Sequence, residues 1–350
     1  MSNSNNSNIK YEKLSEENYN DYEVFLKQFE STLIYHSEPF LRTLIKSFGF
    51  QQETIILKRN NIIEAILPLL SIKGELGTVY NSLPFFGSYG GIYSLNKYSQ
   101  KKLLEHYNSL VNKKDFFSST IIQNPFHSFD RNDFNYEYED LRIAQFTNIE
   151  FSSDIKENLF KGFHSKTKNM IRKSEKFDIN IQADLNKVEE FYDLHKIDML
   201  NKKGIPKPLH FFSNLIKIIP KDNIKLLIAY INGKFAAGLL LLYYNKTVEY
   251  FTPVVKVEYK NTQVLSKIIF EAMIEASSKG FKTWNWGGTW FSQNNVHRFK
   301  KRWATHELTY SYLTSINKTK ITNSKKEFYL EKYPFSFVLP FDKLHNNLYE

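Results

Sequence analysis

The sequence contains no cysteine, which excludes disulfide bonds, thiolate zinc sites and a cysteine nucleophile. It also lacks a P-loop, a dinucleotide-binding fingerprint, a G-x-S-x-G elbow and an H-E-x-x-H pair, so nothing indicates the chemistry of those motifs. His195 and Asp198 are three residues apart on a predicted helix, a spacing that is more often structural than metal-binding. We predict no metal site.

Long hydrophobic runs are missing too. The longest, FAAGLLLLYY at 235–244, is well below the length of a membrane-spanning helix and is bounded by polar turns. The first residues, MSNSNNSN, have no apolar signal core, and residues 1–9 are predicted to form a disordered tail. The sequence thus predicts a soluble, cytoplasmic protein without a transmembrane segment.

Apolar residues and positive charge are abundant. The 350 residues are 42% hydrophobic and 16% aromatic, which is enough for two hydrophobic cores and hence two domains. Lys and Arg number 47 against 37 Asp and Glu, a formal net charge of +10. This charge favours phosphates, nucleic acid or an anionic membrane surface as partners. Because the lysines are spread along the chain, local clusters are more informative than the total.

The second half of the chain shows the clearest element boundaries. Asn232-Gly233 separates two apolar runs and is suited to a tight hairpin. A helix follows the third strand, with Thr262 as its predicted N-cap and Gly280 at its end. Another buried strand comes next. The strands before the helix are predicted at 224–231, 234–244 and 247–255.

The first half repeats this order. Asn60-Asn61 separates two apolar runs, and a helix at 99–112 precedes a strand at 116–124. Two amphipathic helices are predicted before each antiparallel meander. Helices, meander, helix and strand are typical of the GNAT acyltransferase fold, and the repetition indicates a duplicated unit.

The sequence therefore predicts an α/β (α+β) fold of two tandem GNAT-like domains, each with a mixed central sheet flanked by helices. The predicted domains cover 10–147 and 148–315. Residues 316–350 include KYPFSFVLPFDKL, which is aromatic enough to predict a C-terminal tail that packs back on the body.

A basic segment, SKTKNMIRKSEK at 165–176, is predicted to be a helix with Ser165 as its N-cap. Lys168, Arg172 and Lys176 then share one face because they are four residues apart. The sequence leaves two interpretations open, a solvated basic face and a clamp for an anionic ligand.

A second segment, WNWGGTWFSQNNVHRFKKRW at 284–303, joins a predicted strand to a short basic helix. Val296, Phe299 and Trp303 form an apolar stripe with Lys300 at its edge. Spacing favours an ammonium that extends into water, although a charge directed into a cleft is the alternative. Gly287-Gly288 similarly fits either a strand bulge or close approach of a ligand to the backbone.

The segment NSLPFFGSYGGIY at 81–93 mixes aromatic residues with glycine. A packed loop is favoured, and Tyr89, Gly90 and Gly91 are the part expected to be exposed if this loop borders a cleft.

The stretch VEYKNTQVLSK, before the second-half helix, has no glycine, whereas GNAT enzymes that use acetyl-CoA bind its pyrophosphate with a glycine-bearing loop there. This difference argues against coenzyme A without excluding it.

Taken together, LPFFGSYGG, KTKNMIRKSEK, NGKFAAGLLLLYY, WNWGGT and HRFKKRW resemble the FemAB-like transferases, a tandem GNAT family. The resemblance covers residues from about 10 to 315 and is greater to the polysaccharide-associated branch than to the cell-wall enzymes. It implies an acceptor that is a nucleotide-linked or lipid-linked glycan or peptide precursor, bound between the domains.

The resemblance also implies roles for single residues. Lys168, in place of the family's arginine, would contact acceptor phosphates together with Arg172, although lysine lacks the bidentate fork of arginine. Lys300 would hold phosphate of the donor or stabilise charge during transfer, and the backbone of Gly287, Gly288 and Thr289 would supply hydrogen bonds. Tyr89, Gly90 and Gly91, from the loop at 81–93, are further candidate substrate-binding residues. The sequence names no general base.

The function expected from these observations is direct transfer of an acyl or aminoacyl group to an amino group of a cell-envelope precursor, in a cleft between the domains. No cofactor would be bound permanently, and the donor would be aminoacyl-tRNA or acyl-CoA. One alternative is an acyl-CoA-dependent N-acetyltransferase acting on an amino sugar. Another is a non-catalytic protein that binds RNA or an anionic glycan. The positive charge is also compatible with peripheral membrane association.

Overall fold

A computed structural model of the protein describes residues 8–127, 129–131, 134–202, 204–322 and 324–344. Residues 1–7 of the predicted N-terminal tail lie outside these residues, and Ile9, the last residue of that tail, already begins the first strand. The chain divides into two compact units, unit 1 (Met1–Arg142 and Thr309–Glu350) and unit 2 (Ile143–Leu308). These divisions fall a few residues before the predicted boundaries at 147 and 315.

The helices, in chain order, are α1 (Tyr19–Leu26), α2 (Glu38–Phe48), α3 (Lys97–Val111), α4 (Ile155–Gly162), α5 (Ser165–Ser174), α6 (Val188–Asn201), α7 (Leu209–Ile218), α8 (Val264–Ser278), α9 (Asn294–Lys301) and α10 (Lys326–Lys332). The strands are β1 (Ile9–Lys13), β2 (Gln51–Gln52), β3 (Ile55–Arg59), β4 (Ile62–Leu67), β5 (Leu70–Gly74), β6 (Gly77–Asn81), β7 (Tyr93–Ser94), β8 (Phe116–Ile122), β9 (Tyr138–Asn148), β10 (Ile179–Ala183), β11 (Ile224–Ile231), β12 (Lys234–Tyr244), β13 (Thr247–Val255), β14 (Thr283–Thr289) and β15 (His306–Ile316). The four amphipathic helices predicted before the meanders correspond to α1, α2, α6 and α7.

Unit 1 contains two sheets. One has the order β1-β3-β4-β7, and the other contains β15, β8, β6, β5 and β2 as successive neighbours. The β3–β4 turn at Asn60 and Asn61 has positive φ angles of 52° and 65°, as expected of asparagine in a tight hairpin. Pro68 and Leu69 interrupt the apolar run that follows this turn, so the run forms two strands, β4 and β5, in different sheets.

The core of unit 1 is built around a crossover from β6 through α3 to the parallel strand β8. The buried face of α3 includes Leu103, Leu104 and Tyr107. The C-terminal segment also contributes to this unit. The Tyr333 hydroxyl donates to the carbonyl of Gly77 at 3.0 Å and accepts from the amide of Leu76 at 2.9 Å.

Unit 2 contains the sheet order β10-β11-β12-β13-β14-β9. Neighbouring strands are antiparallel except β13 and β14, which are parallel. The hairpin turn at Asn232 and Gly233 has φ angles of 51° and 72°, so the predicted meander is confirmed. Because β13 and β14 are parallel, both end at the same edge of the sheet, which we call the carboxyl edge of unit 2.

Helix α8 connects β13 to β14 and packs its buried face on the sheet. It does not begin at Thr262 as predicted, since residues 257–262 form a 3₁₀ turn and Gln263 adopts φ 60° before the helix. In α5, similarly, Ser165 lies inside the helix, and the ring of His164 accepts from the amide of Lys166 at 3.1 Å. Among the described residues, none of the helices combines the length and apolarity needed to cross a membrane.

Candidate functional site

Lys300 is buried in unit 2, with 6% of its surface exposed. Its ammonium donates to the carbonyl oxygens of Gly287 at 3.2 Å and Gly288 at 3.1 Å, and to the hydroxyl oxygen of Thr289 at 2.8 Å. The expectation from spacing, an ammonium extending into water, is therefore wrong. The side chain instead points from α9 onto the end of β14.

Aromatic packing holds α9 against β14 in this orientation. The ring of Trp286 is perpendicular to Phe299, with centroids 6.1 Å apart, and lies 5.6 Å from Trp303. Both residues belong to the predicted apolar stripe. Val296, the third predicted member, is 43% exposed, because the helix turns its first residues away from the core. Lys300 follows Phe299 directly and is carried inward with it.

A bulge in β14 turns the two glycine carbonyls towards Lys300. In the antiparallel pairing with β9, Asn285 is opposite Phe146 but Gly288 is opposite Ala144, so β14 contains an extra residue. Gly287 has φ 73°, a conformation that glycine adopts without the steric cost of a side chain. Of the two interpretations of Gly287-Gly288, the strand bulge is thus present, and it forms one side of the lysine site.

A buried polar pair supports the bulge. The side-chain NH₂ of Asn285 donates to the two carboxylate oxygens of Glu249 at 3.1 and 2.9 Å. The side-chain oxygen of Asn285 accepts from the amide of Gly287 at 2.9 Å. This amide and both carbonyls therefore make internal bonds that position Lys300. Glu249 and Asn285 are 2% and 0% exposed.

Glu249 and Asn285 are also the last register pair of the parallel strands. Pairing covers Thr247–Glu249 in β13 and Thr283–Asn285 in β14, although β13 continues to Val255 and β14 to Thr289. The two strands therefore part immediately after this pair. Lys300 lies beside the segment in which β14 diverges from β13. The backbone groups of the two strands no longer pair with each other there, so they can face a ligand.

A further side chain, Gln145 of β9, completes the lysine site. The Thr289 hydroxyl donates to its side-chain oxygen at 3.3 Å, which leaves the Thr289 oxygen free to accept from Lys300. Sequence analysis did not identify Glu249, Asn285 or Gln145. A signal was present for Asn285, since it is an amide between two tryptophans in an otherwise apolar strand.

Burial lowers the pKa of Lys300 from the ordinary 10.5 to about 7. Loss of hydration disfavours the charged ammonium, whereas its three oxygen acceptors favour that form and oppose the effect of burial. Charged and neutral forms are therefore both populated near neutral pH. A lysine with this property can stabilise negative charge or exchange a proton under ordinary conditions.

The lowered pKa predicts that Lys300 makes stability depend on pH. Between pH of about 7 and 10 the unfolded chain holds a proton that folded Lys300 has released, so folding becomes more favourable as pH rises. Relative to Lys300→Met, the free energy of unfolding should increase by up to about 1.4 kcal/mol per pH unit in this window. Urea denaturation at several pH values measures the difference. Lys301→Met, at an exposed neighbour, should not alter the slope; an equal effect there would contradict the prediction.

Lys168 and Arg172 lie on α5 of the same unit, but their charged groups contact α4. The Lys168 ammonium donates to the carbonyl of Lys161 at 2.8 Å, and the Arg172 guanidinium lies 5.2 Å from the ring centre of Phe160. The two sequence motifs nevertheless meet through a hydrogen bond that does not involve the charged groups of Lys168 or Arg172. The Thr167 hydroxyl donates to the carbonyl of Arg302 at 3.0 Å, which ties the start of α5 to the end of α9.

Tyr89, Gly90 and Gly91 are in unit 1, and all three are buried. The Tyr89 ring packs edge-on against Tyr310 with centroids 4.7 Å apart. Gly91 has φ 103°, and a Cβ built there would be 3.2 Å from the carbonyl of Ile122. The packed loop, which the sequence favoured, is therefore present, and these residues do not form the exposed lip that was the alternative, because tight packing requires the glycines here.

His195 and Asp198 have separate structural contacts. The His195 ring accepts from the amide of Lys207 at 3.1 Å and is 3% exposed, and burial lowers the pKa of His195 to about 4. Asp198 forms an ion pair with Lys202 at 2.5 Å. Within the described part of the chain, no group of three or more His, Asp or Glu side chains is placed to hold a metal ion.

Comparison with known proteins shows which domain family and which solved structures the chain is similar to. Residues 161–301 match the model of an acetyltransferase (GNAT) domain. The chain resembles the crystal structure of FemX, with 14% identity and a TM-score of 0.70 over 87% of this chain and 97% of FemX. A search of curated protein sequences found no match.

Two other solved structures have the same arrangement at lower similarity. One is a tandem GNAT protein from the clavulanic acid biosynthesis pathway, with 8% identity and a TM-score of 0.52 over 88% of this chain and 98% of that one. The other is the C-terminal domain of a putative lysylphosphatidylglycerol synthetase from Agrobacterium fabrum, with 8% identity and a TM-score of 0.53 over 87% and 93%. The predicted FemAB-like architecture is confirmed at the level of the fold: the chain has the tandem GNAT fold, and residues 161–301 are similar to the acetyltransferase (GNAT) domain family.

Proposed function

We propose that the protein transfers an acyl or aminoacyl group to an amino group of a cell-envelope glycan or peptide precursor. The observation that carries this proposal is the Lys300 ammonium, buried and held by three oxygens where β13 and β14 part. The GNAT domain and the likeness to FemX support acyl or aminoacyl transfer in general. The cell-envelope acceptor follows from the motif resemblance.

The reaction requires no protein nucleophile. The acceptor amine attacks the carbonyl carbon of the donor, a C–N bond forms, and the ester or thioester bond to the donor breaks. The amine loses one proton and the leaving oxygen or sulfur gains one, while the carbonyl oxygen carries negative charge in between. The protein must align the two substrates and stabilise that charge.

Lys300 fits the second task. Its ammonium touches the carbonyl of Gly288, and Gly288 itself is exposed, so a substrate oxygen beside this glycine would lie within a few ångströms of the charge. In a poorly hydrated site such a charge acts more strongly than in water. Lys168 and Arg172 would hold the acceptor phosphates from α5, with Lys168 as a point charge.

Two donors remain in competition. The match to an acetyltransferase domain favours acyl-CoA, and the start of α8 is at the carboxyl edge, where a helix N-terminus attracts phosphate. The likenesses to FemX and to a putative lysylphosphatidylglycerol synthetase favour an aminoacyl donor. Neither donor requires a permanently bound cofactor.

The deciding experiment supplies each donor separately. The protein is incubated with an amino-sugar nucleotide and either labelled acetyl-CoA or tRNA charged with a labelled amino acid, and products are identified by mass spectrometry. Label in an amide product identifies the donor and supports transfer. If a panel of nucleotide-linked and lipid-linked acceptors gives no covalent product, while RNA or glycan binds with a steep dependence on salt, the chain is a binding protein instead.

A further inference from the structure

The carboxyl edge of unit 2 gathers several loops besides the lysine site. Helix α6 starts near the opposite edge, where the amide of Asp184 bonds to the carbonyl of Leu226 at 2.9 Å, and runs back towards the carboxyl edge. The last turns of α6 and the loop after it are therefore near the ends of β13 and β14. Lys207, in that loop, lies 5.2 Å from the ring centre of Phe251 in β13.

Large apolar side chains project from this edge into solvent. Two follow β14 directly, one follows β13, and three belong to the end of α6 and its loop. Their exposed fractions range from 40% to 67%. We call them the apolar rim: Ile197, Leu200, Ile205, Val257, Trp290 and Phe291.

Basic side chains accompany the rim. The acidic residues within the rim segments are fewer, Glu258 and Asp198, and the ion pair between Asp198 and Lys202 cancels one charge of each sign. This combination is complementary to an anionic lipid surface, because apolar side chains can enter the acyl-chain layer while cationic side chains contact the phosphates above it. The basic residues on or next to the rim segments are Lys196, Lys202, Lys256 and Lys260, and Arg298 lies in α9, the helix that follows β14.

We propose that the apolar rim docks unit 2 onto the surface of an anionic lipid bilayer. The biological role of this docking rests on the proposed function. Docking at the carboxyl edge would bring Lys300 to the membrane surface, where a lipid-linked acceptor is found. Membrane binding itself is measured without turnover. Failure of docking would therefore be distinguishable from failure of the transferase proposal.

The composition of the rim favours lipid over RNA. Four of its six residues are Ile, Leu or Val, which have no aromatic face on which a base could stack. In hydrocarbon, by contrast, aliphatic and aromatic side chains both gain from leaving water. Trp290 adds a ring with a polar N–H, a type of side chain that concentrates at membrane interfaces.

Trp290 provides a specific probe for the test. The sequence has four tryptophans, and Trp284, Trp286 and Trp303 are at most 3% exposed, against 40% for Trp290. Adding vesicles of mixed phosphatidylglycerol and phosphatidylcholine should shift the emission to shorter wavelength and protect it from acrylamide. The protein should sediment with these vesicles, less so at high salt, and little with phosphatidylcholine alone.

Variants test whether the rim is responsible. Trp290→Ser with Phe291→Ser should weaken vesicle binding by on the order of a hundredfold, since each buried aromatic side chain contributes roughly tenfold. Lys260→Glu with Arg298→Glu should weaken binding to anionic vesicles and leave the fold intact. The matched control is Phe151→Ser, because Phe151 is 63% exposed and follows β9 at the opposite edge.

Four results would overturn the proposal. The first is that the unchanged protein does not sediment with anionic vesicles, and the second is that Phe151→Ser loses as much vesicle binding as the rim variant. The third is that single-stranded oligoadenylate, and not vesicles, protects Trp290 from acrylamide. The fourth is that this protection depends on protein concentration alone. The third result would assign the rim to RNA, and the last to a second copy of the chain.

Discussion

Lys300→Ala is expected to lower turnover by on the order of 10²- to 10³-fold with the donor and acceptor found in the transfer assay. The alanine removes the only charge that the site places against Gly287, Gly288 and Thr289 among the contacts described. Loss of one charge-stabilising donor in other acyl-transfer sites has an effect of this size. Initial rates at saturating substrate measure the change in kcat.

Lys301→Ala is the matched control, because Lys301 is the next residue in α9 and its side chain is exposed. Its turnover should stay within about twofold of the unchanged protein, as is usual for exposed positions. If Lys300→Ala retained full turnover, or if both variants lost it equally, the assigned role of Lys300 would be wrong.

The pH profile distinguishes charge stabilisation from proton abstraction by the same lysine. Because the pKa of Lys300 is lowered to about 7, its ammonium is lost as pH rises above 7, and kcat should fall in that range. Lys300→Arg remains charged and should remove this fall, at whatever rate its larger head group allows. A kcat that rises through pH 7 and depends on Lys300 would indicate instead that the neutral amine accepts the proton.

Trp303→Ala should produce the largest loss of stability among single changes in unit 2, about 3–5 kcal/mol. Trp303 is fully buried, and its ring lies 5.1 Å from Phe163 and 5.6 Å from Trp286, centre to centre. Alanine would leave a cavity between α4, α9 and β14 that the surrounding rings cannot fill. Urea unfolding followed by circular dichroism measures the shift.

Trp290→Ala is the control for this change, since it removes the same side chain from an exposed position. It should alter the free energy of unfolding by no more than about 0.5 kcal/mol. If both variants lost comparable free energy of unfolding, the two tryptophans would be packed alike, and the assignment of Trp303 as buried and Trp290 as exposed would be wrong.

Much of unit 2 follows from local sequence. Asn232-Gly233 can hardly be other than a tight turn, and the apolar runs on either side have the length and residue types of strands, so β11, β12 and β13 begin and end where predicted. Helix starts were less predictable. Thr262 and Ser165 both looked like N-caps, but a 3₁₀ turn before α8 and the ring of His164 before α5 took that place.

Candidate site residues divide in the same way. Lys300, Gly287 and Gly288 could be selected from their motif, whereas Glu249 and Gln145 belong to strands far away in sequence and become neighbours only through sheet pairing. The packed state of Tyr89, Gly90 and Gly91 likewise depends on residues such as Tyr310 that the local sequence does not specify.

By itself the sequence determined the order of elements and the tandem GNAT pattern, because turn residues and the periodicity of apolar side chains act over a few residues. It also determined the absence of thiol chemistry. The tertiary structure alone decided that Lys300 is buried with a lowered pKa, since burial depends on Trp286 and on the bulge held by Asn285 and Glu249. Hydration of a charge is set by everything packed around it, and that environment comes from segments far apart in the chain.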